Sequence, residues 1–179
     1  FKGVYKLEPA HWLQIKGGHV RTHRYWDVTE FDTDTRADDE LVAEIDQTLR
    51  AAVHDRLESE VPLGAFLSGG IDSGLVVSYM AEALGNRLVT ASVGFGEKEH
   101  NELEAAGLVA AHFKSRHHAD VLEPSLEVVG PVMDHLGEPM ADSSAIPTWY
   151  VCQSARRHVT VALSGDGGDE TFLGYDFRY

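Results

Sequence analysis

Apolar positions along the chain change their period from region to region, and each period predicts a different element. The opening GVYKLEPAHWLQIKGGHVRTHRYWDV alternates apolar and polar residues and breaks at Lys16-Gly17-Gly18-His19, which predicts a hairpin turn. On this reading Val4, Tyr5, Leu7, Trp12, Leu13 and Ile15 face a sheet, and Trp26 anchors the exit. The acidic run TEFDTDTRADDE follows as a linker. From Asp38 to Glu58 the period becomes helical, with Leu41, Ile45, Leu49, Val53 and Leu57 forming one apolar stripe. Asp38, Asp39 and Glu40 fall in its first turn, where the helix dipole favours negative charge.

After Pro62, short apolar runs alternate with helical patterns. LGAFL, LVTASVGF, His117–Val121 and VTVAL read as strands; GLVVSYMAEAL, NELEAAGLVAAHF, Leu126–Leu136 and TWYVCQSARR read as helices. SGGIDS and SGDGGDE read as loops at strand ends. Such alternation predicts an α/β fold: a doubly wound parallel sheet with right-handed crossovers and helices on both faces. The expected division is 1–28 as the last strands of a neighbouring domain, 29–37 as a linker and 38–179 as the α/β domain. The chain opens inside a predicted strand and stops just after a loop, so it reads as part of a longer polypeptide.

Charge narrows the partners. A formal net charge of −14 argues against a broad nucleic-acid or anionic-membrane surface. It leaves room for a small anionic ligand, because backbone N–H groups and a metal ion override net charge locally. No apolar run approaches the roughly 20 residues of a membrane span. The single cysteine, Cys152, rules out an internal disulfide and suits a reducing cytoplasm. It falls mid-helix at an apolar position, which predicts a small core residue. His117 and His118 have no third ligand at suitable spacing and read as strand-end histidines.

The chemistry concentrates in two loops, each beginning where a buried strand ends. In FLSGGIDSG, Gly69 and Gly70 allow a tight turn, while Ser68, Ser73 and the free N–H groups of the following helix make an anion site. Asp72 would repel a phosphate unless Mg²⁺ lay between them, and Asp169 of LSGDGGDE offers a second carboxylate to such an ion. No Gly-Lys-Ser/Thr follows the first loop, so it is not a kinase-type P-loop. Phe66 stands where a nucleophile elbow needs glycine. The carboxylate spacing of the second loop does not suit an EF-hand. A plain glycine turn and a solvated acidic turn are the bland alternatives.

SGGIDS resembles the pyrophosphate loop of the ATP-pyrophosphatase superfamily. Paired with LSGDGGDETFLGY, it is similar to the synthetase domain of glutamine-hydrolysing asparagine synthetases. VPLGAFLSGG, SVGF, EPMADSSAIPT and VTVALSGDGGDE fall in family order, and GVYKLEPAHWL with RYWDV resembles the end of the glutaminase domain and the entry to the linker.

The resemblance implies the adenine-nucleotide α-hydrolase (PP-loop) type of sheet, with ATP and Mg²⁺ bound at its strand ends. The implied reaction adenylates aspartate to β-aspartyl-AMP, releasing pyrophosphate; ammonia from glutamine then displaces AMP to give asparagine. A cytoplasmic enzyme and a homodimer formed through the full-length protein are further expectations. By position, Leu67 and Val93 would meet adenine, and the Ser164–Gly165 backbone the nucleoside. Ser68, Gly69, Gly70, Asp72 and Ser73 would hold the pyrophosphate, with Asp72 and Asp169 on the metal. Asp166 would lie near the aspartate and ammonia site, Glu170 beside it as a supporting partner, and Asp142, Ser143 and Ser144 along the amino-acid side. Gly74 replaces a serine common in the family motif. The family's amino-terminal cysteine is not in this chain, and its late lysine would lie beyond Tyr179. Two alternatives share the nucleotide chemistry or its binding: a related PP-loop ligase acting on another carboxylate, as in β-lactam formation or glycan amidation, and a non-catalytic nucleotide-binding fragment.

Overall fold

A computed structural model describes residues 2–27, 34–96, 102–123, 125–138 and 142–175. Most of the expected linker, 29–33, and positions 139–141 of the EPMADSSAIPT stretch lie outside the described residues. The chain divides into two compact units, Phe1–Leu41 and Val42–Tyr179.

In the first unit, β1 (His11–Lys16) and β2 (His19–Arg24) pair antiparallel, closing with Lys16 opposite His19. Gly17 and Gly18 have φ of +58° and +77°, the left-handed pair that a two-residue hairpin turn demands. The predicted hairpin therefore forms, but its strand begins late. Lys2 and Gly3 lie in a turn, and Val4, Tyr5 and Leu7 precede β1. All six residues expected to face a sheet are exposed, and so is Trp26 at 61%. A two-stranded ribbon has no second layer to cover its side chains.

The second unit is built on a parallel sheet. Its strands are β3 (Leu63–Phe66), β4 (Val89–Phe95), β5 (Arg116–Leu122) and β6 (Val161–Leu163), in the order β5-β4-β3-β6. Helices α2 (Ile71–Leu84), α3 (Leu103–His112), α4 (Val129–Leu136) and α5 (Ala145–Ala155) lie between them in sequence; α1 (Asp38–His54) leads in and α6 (Gly168–Phe172) follows β6. The chain steps outward from β3 through β4 to β5, then returns to the other side of β3. That reversal makes the β3–β6 pair a topological switch point.

Alternation along β3 assigns the two faces. Ala65 and Leu67 pack with Val77 and Met80 of α2, Ala106 of α3 and Val53 of α1. Phe66 packs on the other side with Ala91, Ala155 and Val159. Helices thus cover both faces, as the doubly wound reading predicts. Between the first pair of helices, Tyr79 donates its hydroxyl to Asp46 at 2.9 Å, and Arg50 bridges Asp46 and Glu82, bracing α1 against α2.

Several boundaries move. Helix α1 stops at His54, short of Glu58, although Leu57 still packs on the core. Helix α2 starts at Ile71, so Asp72 and Ser73 belong to its first turn and not to a loop. The expected helix from Leu126 opens as a 3-10 turn over Leu126–Val128, capped by the Ser125 hydroxyl, which accepts from the Glu127 N–H at 3.2 Å. Asp169 and Glu170 sit in the short helix α6, again not in a loop. Cys152 is exposed, contrary to its predicted core place. Ser154 and Ala155 are the buried positions of α5, and Cys152 points elsewhere around the helix.

Candidate functional site

The turn from β3 into α2 is held by its own serines. Ser73 is buried, and its hydroxyl lies 2.9 Å from that of Ser68 and 3.2 Å from the Ser68 N–H, which donates to it. The Gly70 N–H donates to Ser68 Oγ at 3.2 Å. Gly69 takes φ +86°, a left-handed conformation, and a Cβ there would stand 2.7 Å from Ala105 Cβ and 2.8 Å from Ala106 N of α3. Gly70 caps α2 in an extended conformation, leaving the N–H groups of the first turn directed out of the helix end. Asp72 is carried on that turn.

The turn after β6 is built differently. The Ser164 hydroxyl donates to Asp166 Oδ2 at 2.8 Å, and Gly167 turns left-handed at φ +94° to open α6. The Tyr175 hydroxyl donates to Glu170 Oε1 at 2.8 Å, orienting that carboxylate.

The two turns meet. A Cβ on Gly165 would fall 2.8 Å from Ser73 N and 3.0 Å from Asp72 Cβ; on Gly168 it would fall 2.5 Å from Asp72 Cγ. Asp72 therefore lies directly against the backbone of the second turn. A cavity of about 510 Å³ opens there, lined by Ser68, Asp72 and Ser73 from one turn and by Ser164, Asp166 and Asp169 from the other, with Gly165 and Glu170. Asp142 and Ser144 line it too, linked by a 2.8 Å hydrogen bond from the Ser144 N–H to Asp142 Oδ1. Ser143 is not among its lining residues.

A second, largely apolar cavity of about 220 Å³ adjoins the first and contains Leu67 and Val93. Leu67 is fixed beside it: its N–H donates to Ala91 O at 3.0 Å, and the Ser92 hydroxyl donates to its carbonyl. Phe66, Ser68, Thr148 and Val151 line both cavities. Gly69 and Gly70 line neither and act on the turn's shape. The sequence reading missed Thr148, Val151 and Tyr175. Helical spacing of Thr148 and Val151 was the available signal for the α5 pair; Tyr175 had none beyond its place in the second motif.

The histidines have structural surroundings. The Thr90 hydroxyl hydrogen-bonds His117 Nδ1 at 2.9 Å, and burial lowers the His117 pKa from its ordinary 6.5. His118 stacks on His158 with ring centroids 3.5 Å apart; burial, then His158 and Arg116, lower its pKa. Among the described residues no group of three or more His, Cys, Asp or Glu is arranged as a metal cluster, so an ion held by fewer carboxylates would complete its shell from substrate or from water. No helix of the described residues is long and apolar enough to cross a membrane.

A family model described as asparagine synthase matches residues 44–179. The glutamine-hydrolyzing asparagine synthetase 1 of Bacillus subtilis is 35% identical over 175 residues, covering 97% of this chain and 28% of that protein. Asparagine synthetase 3 of the same organism is 30% identical over 198 residues, covering 98% and 31%. The chain thus spans about three tenths of the length of these curated relatives. Among solved structures, a glutamine-dependent NAD+ synthetase from Acinetobacter baumannii in complex with ADP superposes with a TM-score of 0.53 at 22% identity, covering 86% of this chain and 30% of that one. An NMN synthetase from Francisella tularensis gives 0.51 at 16% identity, covering 74% and 58%. At these identities the likeness is one of fold.

Proposed function

This chain belongs to the asparagine synthase family, and from that premise we propose that it supplies the ATP-activating part of a glutamine-dependent ligase that adenylates aspartate and amidates it. The observation that carries the reading is the meeting of two turns at the switch point, with an apolar slot beside a chamber rich in hydroxyls and carboxylates. The division matches a nucleotide, apolar at its base and anionic at its phosphates.

Leu67 and Val93 would receive adenine, and the Ser164–Gly165 backbone the ribose. The triphosphate would lie at the start of α2, where free N–H groups and about half a positive charge face it. Ser68 and Ser73 would add hydroxyls, already oriented by each other. Asp72 and Asp169 would hold Mg²⁺, since two carboxylates beside phosphate oxygens form a hard-oxygen donor set. When bound, that ion neutralises charge developing on the departing pyrophosphate.

The aspartate β-carboxylate attacks the α-phosphorus, and the bond to pyrophosphate breaks. Ammonia then attacks the acyl carbon, and AMP leaves. Asp166 and Glu170, on the chamber's second turn, are suited to receive the proton that ammonia sheds. The Ser164 and Tyr175 hydroxyls donate to these carboxylates and orient them.

Exchange of labelled pyrophosphate into ATP, run on the intact protein across a panel of carboxylic acids, tests this. The reading expects exchange that depends on aspartate. Exchange driven by another acid instead would replace the substrate while keeping adenylation; exchange with none would overturn both.

A further inference from the structure

We infer that Gly168, with Gly165 behind it, is a positioning residue for Asp72: the bare backbone of the second turn fixes where that carboxylate stands. The inference rests on the proposed role of Asp72 toward Mg²⁺ and ATP.

Gly168 does not need to be glycine for its torsion angles. Of the glycines in this turn only Gly167 is left-handed, at φ +94°; Gly165 and Gly168 lie outside that region, where any residue can sit. What excludes a side chain there is space. A Cβ on Gly168 would stand 2.5 Å from Asp72 Cγ, 2.8 Å from Oδ1 and 2.9 Å from Oδ2. A Cβ on Gly165 would stand 3.0 Å from Asp72 Cβ and 3.1 Å from its carbonyl carbon. One glycine thus abuts the carboxylate and the other its stem. By contrast, a Cβ on Gly74, two residues along the same helix, would meet nothing within 4 Å.

Among the described residues no hydrogen bond or ion pair holds the Asp72 carboxylate. A carboxylate without a partner samples its rotamers unless packing restricts them. The backbone at Gly168 supplies that restriction, on a wall of the chamber that Asp169 also lines. A methyl group at 168 would push the carboxylate aside first, since the three atoms nearest to it are the end of that one side chain.

The test is a double-substitution cycle in the intact protein, reading ATP affinity with and without Mg²⁺. Gly168→Ala is expected to cut the Mg²⁺-dependent gain in ATP affinity at least threefold and leave metal-free ATP affinity within twofold. In an Asp72→Ala background, where the obstructing atoms are gone, the same change should alter affinity less than twofold. Gly74→Ala serves as the control and should match the parent. An equal loss from Gly168→Ala in both backgrounds, or no loss in either, overturns the inference. If Gly168→Ala alone fails to fold, recovery of folding in the D72A/G168A protein supports the contact, and continued failure overturns it. If Asp72→Ala itself leaves the Mg²⁺-dependent gain intact, the metal role of Asp72 falls first and takes this inference with it.

Discussion

The hydroxyls of Ser68 and Ser73 stand 2.9 Å apart across the turn from β3 into α2, and Ser73 Oγ also accepts the Ser68 N–H at 3.2 Å. One buried side chain therefore ties Ser68, just past the end of the strand, to the helix's first turn. Replacing Ser73 by alanine removes these bonds together. The expected result is a stability loss of about 1–2 kcal/mol in urea unfolding, with a weaker affinity for ATP. Unchanged ATP affinity in a destabilised S73A protein would confine Ser73 to a structural role.

Two glycines separate packing from site chemistry. A Cβ on Gly64 in β3 would lie 2.6 Å from the Val89 carbonyl oxygen, so Gly64→Ala forces neighbouring backbone apart. It should cost about 1–3 kcal/mol. Gly74 in α2 faces open space, and Gly74→Ala should stabilise by about 0.5–1 kcal/mol through helix propensity. Chemical denaturation of both variants checks the order, and the reverse order would contradict the packing described for β3.

Stability should fall on mild acidification. His117 and His118 have pKa values lowered from 6.5, chiefly by burial, so the unfolded chain binds protons more readily than the folded one. Their contribution is present above that value and is lost as pH falls through the lowered folded values. Asp120 favours the charged form of His118, but His158, Arg116 and Arg157 oppose it. Urea midpoints should therefore drop between about pH 8 and about pH 5, and a His117→Gln, His118→Gln protein should show a flatter profile. An equal drop in both proteins would place the acid sensitivity elsewhere.

Much of this architecture is legible in the chain because buried strands leave continuous apolar runs. LGAFL stops at Ser68-Gly69 and LVTASVGF at Gly96, and the structure ends β3 and β4 near those points. Helix starts were less visible. Gly70, Asp72, Gly167 and Gly168 have turn-forming composition, yet the helices α2 and α6 begin among them, because free N–H groups at a helix end tolerate such residues. Pairing of the two turns was inferred from the chemistry of Asp72 and Asp169; the glycine contacts that bring the turns together involve no signal in hydropathy. Cys152 is exposed where its type suggests burial, because residue type does not reveal which side of α5 it occupies. The hairpin's apolar residues misled for a related reason: alternation marks a strand, but burial needs a second layer.

On the proposed mechanism, Asp72 and Asp169 act on one ion against one triphosphate. Isothermal titration of ATP at a series of Mg²⁺ concentrations, on the parent protein, Asp72→Asn, Asp169→Asn and the double variant, addresses it directly. The expected result is that each single change removes most of the Mg²⁺-dependent gain and the double change adds little more. Independent, additive losses, or a full gain retained in either single variant, would contradict it.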